Sequence, residues 1–268
     1  MAPVIGVFDS GIGGLSVLRA LRATLPAAHY HYLADNAWAP YGEREAASLR
    51  ERLAALVRAW RADSALDLLV LACNSATAVA IDALRREHPD LPIVGIEPAV
   101  RPALGLTRSG HVGVLATRAT LQSPRYHALR DACLASAGPG LQIHDHAADG
   151  LADAIERNDE TAMNALCRSH LQALLGHAPS IDTLVLGCTH YPLVDAAWRA
   201  AWAEPLRLVD PAEAVARRAA SLLGPLPGND AQAALRWRCT GGTEVLSQAA
   251  QRWLGLERAA VQRLTLGD

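Results

Sequence analysis

The 268-residue chain contains no lysine; all 25 of its Lys and Arg positions are arginine. That removes two chemistries at once. A phosphate loop sets a lysine beside its glycines, and a pyridoxal phosphate enzyme holds its cofactor as a lysine Schiff base. Paired cysteines are lacking too. The five, at 73, 133, 167, 188 and 239, are odd in number and include no C-x-x-C, so neither a disulfide scaffold nor a common zinc site is indicated, and a reducing cytosol fits. No charged leader followed by an apolar stretch opens the chain, and no apolar run approaches the roughly 20 residues of a membrane span. A soluble, cytoplasmic protein with no membrane partner is expected. The arginines are scattered along helical patterns and the net charge is −2, which argues against a nucleic-acid surface.

What the chain does have is an alternation of short β-rich runs and longer helical ones. The strand candidates are VIGVF, YHYLA, LLVLA, PIVGI, VGVLA, LQIHD, TLVLG and LRLVD, most ending at a glycine, proline, acid or hydroxyl residue. Between them lie segments such as EREAASLRERLAALVRAWRA, with leucines and a valine at helical spacing. The alternation predicts α/β architecture, a mainly parallel sheet flanked by helices, with ligands at the carboxyl ends of strands.

Two stretches repeat. LDLLVLACNSATA from Leu66 and IDTLVLGCTHYPL from Ile181 align Asp67 with Asp182, Leu69 with Leu184 and Cys73 with Cys188. VIGVFDS from Val4 and HVGVLAT from His111 align Gly6 with Gly113 at a similar offset. Two matched pairs imply two related, pseudo-symmetric lobes, each presenting a cysteine at a strand end. The expected division is 1–97 with 206–268 as the first lobe and 98–205 as the second, the crossing falling near GIEPAVRP.

Cys133, Cys167 and Cys239 sit within helix or strand patterns and read as buried apolar residues. Cys73 and Cys188 precede polar runs instead, NSATA and THY. At such a place a thiolate can receive N–H groups from a following helix, which lowers its pKa from about 8.5 and makes it a base. His190 and Asp9 are candidates to relay or hold protons beside the two sulfurs, although Asp9 or Ser10 could instead cap a helix. The opening strand, its turn of Gly11, Gly13 and Gly14, and the helix after it form an anion site in outline. Ser16 stands where a dinucleotide fingerprint needs glycine, and Asp9 would repel a phosphate.

Four motifs in combination, FDSGIGGLSV at 8–17, PYGER at 40–44, ACNSATA at 72–78 and LVLGCTHYPL at 184–193, resemble those of the bacterial glutamate racemases. The resemblance implies a cofactor-independent, metal-free enzyme with its active site in the cleft between two α/β lobes. It would interconvert L- and D-glutamate, supply D-glutamate for peptidoglycan and form a homodimer. By matching position, Cys73 and Cys188 would be the two bases, assisted by Asp9 and His190. Asp9, Ser10, Tyr41, Gly42, Asn74, Ser75, Thr189 and His190 would line the substrate site. The glycine loop would then hold an amino acid, its backbone N–H groups meeting carboxylate and Asp9 the ammonium. Ser75 replaces the usual threonine and keeps the hydroxyl; Glu156 is the nearest counterpart of a second-lobe glutamate, within loose local similarity.

Three alternatives are distinguishable. An aspartate racemase of the same superfamily would differ in the pocket opposite the glycine loop, where Thr117 and Thr120 are candidate substrate contacts. A cysteine hydrolase using Cys188 and His190 would leave Cys73 dispensable. A relative that binds DNA gyrase could have lost catalysis, and the four intact motifs argue against that loss.

Overall fold

A computed structural model describes residues 2–138, 140–202, 206–226, 233–257 and 259–266. In chain order the strands are β1 (Val4–Asp9), β2 (His29–Ala34), β3 (Leu68–Leu71), β4 (Ile93–Gly95), β5 (His111–Ala116), β6 (Gln142–Ala147), β7 (Thr183–Leu186), β8 (Arg207–Val209), β9 (Leu235–Cys239) and β10 (Val261–Arg263). The helices are α1 (Leu15–Thr24), α2 (Ala46–Asp63), α3 (Asn74–Glu87), α4 (Val100–Leu106), α5 (Arg118–Leu121), α6 (Pro124–Ser136), α7 (Leu151–Glu156), α8 (Glu160–His177), α9 (Asp195–Ala201), α10 (Ala212–Leu223) and α11 (Thr243–Leu254). Two 3₁₀ turns lie at Tyr41–Glu43 and Tyr191–Val194.

The chain divides into two compact units, one of residues 1–96 and 212–268, the other of residues 97–211. In the first, the sheet runs β10-β9-β2-β1-β3-β4; in the second, β6-β5-β7-β8. Every described pairing is parallel. The sequence-based boundary at 206 would return β8 to the first lobe, and its last second-lobe residue, Pro205, lies outside the described residues. Because β8 pairs with β7, that strand stays in the second unit and the return comes at Ala212.

Side-chain alternation on the strands explains the layering. On one face of the first sheet, Phe8, Leu33, Leu69 and Leu71 pack with Leu53, Val57 and Trp60 of α2 and Ala80 and Leu84 of α3. Helix α10 packs against β3 and β4, and against α1. In the second unit, Val112, Val114, Val185 and Val209 meet Val100 and Ala103 of α4 and Tyr126 and Cys133 of α6, while α8 packs against β6.

The two repeats occupy the same registers. Gly6 lies opposite Leu69 and Gly113 opposite Leu184. A Cβ on Gly6 would come within 2.9 Å of Leu66, and one on Gly113 within 2.9 Å of Leu174 and Leu184, so both centres accept only glycine without a shift. Just past the strands, Ala72 N donates to Phe8 O at 2.7 Å and Gly187 N donates to Leu115 O at 2.7 Å. One residue further, Cys73 and Cys188 therefore fall at equivalent points of the two sheets.

Candidate active site

In the first unit, β1 ends at Asp9, which is fully buried. Its Oδ1 accepts from Gly11 N at 2.8 Å, so it closes the glycine turn; the N-cap of α1 is Gly14, without a side-chain cap. The helix-capping alternative for Asp9 and Ser10 does not hold for α1. Gly14 backs the carboxylate closely, since a Cβ there would stand 2.7 Å from Asp9 Cβ and 2.8 Å from the Tyr32 hydroxyl. The expected cradle of loop N–H groups is partly spent internally. Gly11 N serves Asp9, Leu15 N donates to Ile12 O and Ser16 N to Gly13 O.

Beside β1, β3 delivers Cys73 as the N-cap of α3. Its sulfur does not take the expected hydrogen bond from the helix's first turn; it reaches the Ser10 hydroxyl at 3.6 Å. Asn74 and Ser75 follow, both buried. The Asn74 amide has its nitrogen and oxygen buried with no hydrogen-bond partner. Leaving a donor and an acceptor unmet costs about 1–3 kcal/mol each, so such a group marks a place where a polar ligand would be welcome. Tyr41 and Gly42 stand in the first 3₁₀ turn. Tyr41 is buried, and its hydroxyl donates to Asp35 Oδ2 at 2.6 Å.

In the second unit, β7 leads through Gly187 to Cys188. A Cβ on Gly187 would press on Leu115 O at 2.9 Å and Ala116 Cβ at 3.0 Å. No α-helix follows directly, in contrast to the helix expected there; His190 caps the second 3₁₀ turn, and α9 starts after it. The thiol's neighbour is thus a side chain rather than a helix end. Cys188 Sγ lies 3.6 Å from His190 Nδ1, and His190 Nε2 lies 2.6 Å from Glu156 Oε1 at the end of α7. Burial opposes the charged imidazole, but hydrogen bonds to Cys188 and Glu156 and the charges of both groups outweigh it, holding His190 well above its ordinary pKa. Tyr191 steadies the turn: it is fully buried, its hydroxyl donates to Ala148 O at 3.1 Å, and its carbonyl accepts from Trp198 Nε1 at 3.1 Å. Thr189 is buried between Cys188 and His190 in sequence.

Thr117 caps α5, its Oγ1 accepting from Thr120 N at 3.3 Å and lying 3.0 Å from Thr120 Oγ1. These two hydroxyls hold the end of β5, where the chain turns into the helix. Glu156, left out of the sequence-based set, proves to be a partner of His190. Its position at the tip of a short helix carries no periodic signal, and only folding brings together two residues 34 positions apart. Cys133, Cys167 and Cys239 are buried as expected. Among the described residues, no group of three or more His, Cys, Asp or Glu side chains could hold a metal ion.

The arrangement offers acid–base chemistry at two sulfurs, one backed by a carboxylate-held imidazole and one beside a hydroxyl and near a buried aspartate. Comparison with known proteins gives the family. The sequence profile of the Asp/Glu/hydantoin racemases matches residues 5–219. A glutamate racemase of Ectopseudomonas mendocina (strain ymp) is 44% identical over 241 residues, spanning 88% of this chain and 89% of its own. The crystal structure of Escherichia coli glutamate racemase, in complex with L-glutamate and the activator UDP-MurNAc-Ala, superposes with a TM-score of 0.84 at 35% identity over 100% of both chains. Isoform RacE1 of Bacillus anthracis glutamate racemase gives a TM-score of 0.84 at 32% identity, covering 98% of each chain.

Proposed function

The chain belongs to the Asp/Glu/hydantoin racemase family, and from that premise we propose that it interconverts L- and D-glutamate without a cofactor, using Cys73 and Cys188 as the two bases. The observation that carries the proposal is the equivalence of the two thiols, each one residue past the peptide hydrogen bond that ends β3 on β1 or β7 on β5. Racemization needs a base that removes the Cα proton from one face and an acid that delivers a proton to the other; two like groups exchange these roles when the direction reverses. A chain with no lysine cannot use a Schiff base as electron sink. It must lower the barrier by placing groups and charges.

In this mechanism Cys188 works with the imidazolium of His190, which Glu156 holds protonated and oriented. Cys73 works beside Ser10, with Asp9 at the end of the neighbouring strand to receive the substrate ammonium. The Asn74 amide, Ser75, Thr189 and the Tyr41–Gly42 turn bind the carboxylates. Well-placed donors on the developing charge contribute roughly 3–4 kcal/mol each in other enzymes. The product, D-glutamate, would feed peptidoglycan synthesis in the cytoplasm, and the enzyme would act as a homodimer, which light scattering of the purified protein tests.

One geometric fact favours a second reading: Cys188, His190 and Glu156 stand in the order of a nucleophile, a base and its orienting acid. A hydrolase built on them would survive Cys73→Ala, and a racemase would not. The direct test incubates purified protein, with no added cofactor, with L-glutamate and separately with L-aspartate, and resolves the enantiomers chromatographically. D-glutamate should form and exceed D-aspartate, and pyridoxal phosphate should change nothing. No D-glutamate from folded protein would sink the proposal.

A further inference from the structure

One side chain that ties several segments of the first unit together belongs to Asp35, just past the carboxyl end of β2, and it takes no part in the proton transfer described above. It is fully buried. Its carboxylate accepts from the Tyr41 hydroxyl at 2.6 Å, from Arg52 Nε at 3.1 Å and Nη2 at 2.8 Å, and from the Thr240 hydroxyl at 2.6 Å. Its backbone N–H donates to Asp9 O at 2.9 Å, and its carbonyl accepts from Trp38 N at 2.9 Å. One residue thus joins the 3₁₀ turn, α2 and the end of β9 to the strand end that carries Asp9. Arg52 also packs its guanidinium 5.0 Å from the Trp38 ring centroid, and Arg44 packs at 5.1 Å from the same ring, so the segment between β2 and the turn is held from its own side chains as well.

The Tyr41 hydroxyl proton is committed by this contact. Burial, then the charge and hydrogen bond of Asp35, hold the phenol far above its ordinary pKa, so it stays a neutral donor to Asp35. The hydroxyl therefore anchors the turn, and what the turn offers a substrate is its backbone. Every hydrogen bond that reaches the Asp35 carboxylate comes from a donor: a phenol, an alcohol and two N–H groups of one guanidinium. An amide in its place would set an NH₂ against donors, which removes one or more of these bonds without changing size.

We propose that Asp35 is the positioning residue of the Tyr41–Gly42 turn, fixing through the Tyr41 hydroxyl and Arg52 the segment that binds a substrate carboxylate; this rests on the racemase function proposed above. Glutamate racemization by wild-type, Asp35→Asn, Tyr41→Phe, Arg52→Lys and the Asp35→Asn/Tyr41→Phe double variant tests it, with KM and kcat measured separately across pH. Loss of a charge-assisted anchor should raise KM for L-glutamate about tenfold or more in Asp35→Asn. Its kcat and the positions of the pH limbs, which the thiols and His190 set, should change little. Tyr41→Phe and Arg52→Lys should raise KM by less. Because Asp35 acts through Tyr41, the double variant should be no worse than Asp35→Asn alone.

An unchanged KM in Asp35→Asn, or a double variant whose losses multiply, would overturn the assignment. Should Asp35→Asn fail to fold, Tyr41→Phe decides: a raised KM with kcat retained supports the clamp, and a wild-type KM overturns it. A wild-type protein that makes no D-glutamate would overturn the racemase function itself and the positioning role with it. Wild-type activity with an unaffected Asp35→Asn variant would overturn the positioning role alone.

Discussion

Replacing Glu156 by Gln keeps the shape of the group next to His190 and removes its charge. In the structure that carboxylate lies 2.6 Å from His190 Nε2, with side-chain exposures of 17% for Glu156 and 7% for His190. A hydrogen bond to a charged partner in such a setting is worth about 1.5–3 kcal/mol, so its loss lowers the His190 pKa. The imidazolium beside Cys188 then titrates away at lower pH, and a proton-transfer step that needs it slows about 10- to 100-fold. The alkaline limb of kcat/KM should move to lower pH. Because enantiomers have equal free energy, the equilibrium constant is unity and kcat/KM must fall equally from L- and D-glutamate. The individual kcat values are free to differ. Circular dichroism of both enantiomers from pH 6 to 10, with Glu156→Gln compared with wild type, gives all of these. An unchanged profile, with kcat/KM within about twofold of wild type, would refute the claim that Glu156 acts through His190.

Three further outcomes are expected. Burial first, then Arg236, Arg238 and His29, depress His31 to about 4, with Asp63 opposing; a group depressed below its unfolded value stabilises fully above about 6.5 and loses that contribution as pH falls towards about 4, so thermal melts should show a loss of about 1–2 kcal/mol, after solvent screening, that His31→Gln flattens. Burial pushes the Cys167 thiol up to about 12 and raises those of Cys133 and Cys239, so peptide mapping after iodoacetamide at pH 8 should find these three unmodified while activity loss tracks Cys73 and Cys188. In Gly14→Ala the new Cβ meets Asp9 Cβ at 2.7 Å, which should cost about 1–3 kcal/mol in denaturant unfolding and reduce turnover by displacing Asp9.

The first eight strands were legible because they are short β-rich runs, most of them closed by a turn residue, as in TLVLG and LRLVD. β9 and β10 were not. LRWRC alternates arginines with apolar residues because one face of β9 is half exposed, Arg236 being exposed and Trp237 buried, and β10 has only three residues. Cys73 and Cys188 were legible from the repeat, since strand periodicity fixes where each run must end. The surroundings of each sulfur were not, because Ser10 meets Cys73, and Glu156 meets the His190 beside Cys188, through folding over 63 and 34 positions respectively. Asp35 shows the same limit: its partners Arg52 and Thr240 are 17 and 205 positions away, and no local pattern relates them.

The central claim is that two thiols share one Cα, and hydrogen isotope tracing tests it most directly. In heavy water, a two-base enzyme leaves the abstracted proton on one sulfur while the other, equilibrated with solvent, delivers deuterium. Early in the conversion of L-glutamate, the D-glutamate formed should therefore carry deuterium at Cα, and the remaining L-glutamate should carry almost none, as read by mass spectrometry after chiral separation. Cys73→Ala and Cys188→Ala should each stop racemization in both directions, one lacking the base and the other the acid. Protium retained in the early D-glutamate, or substantial racemization by either alanine variant, would contradict the account.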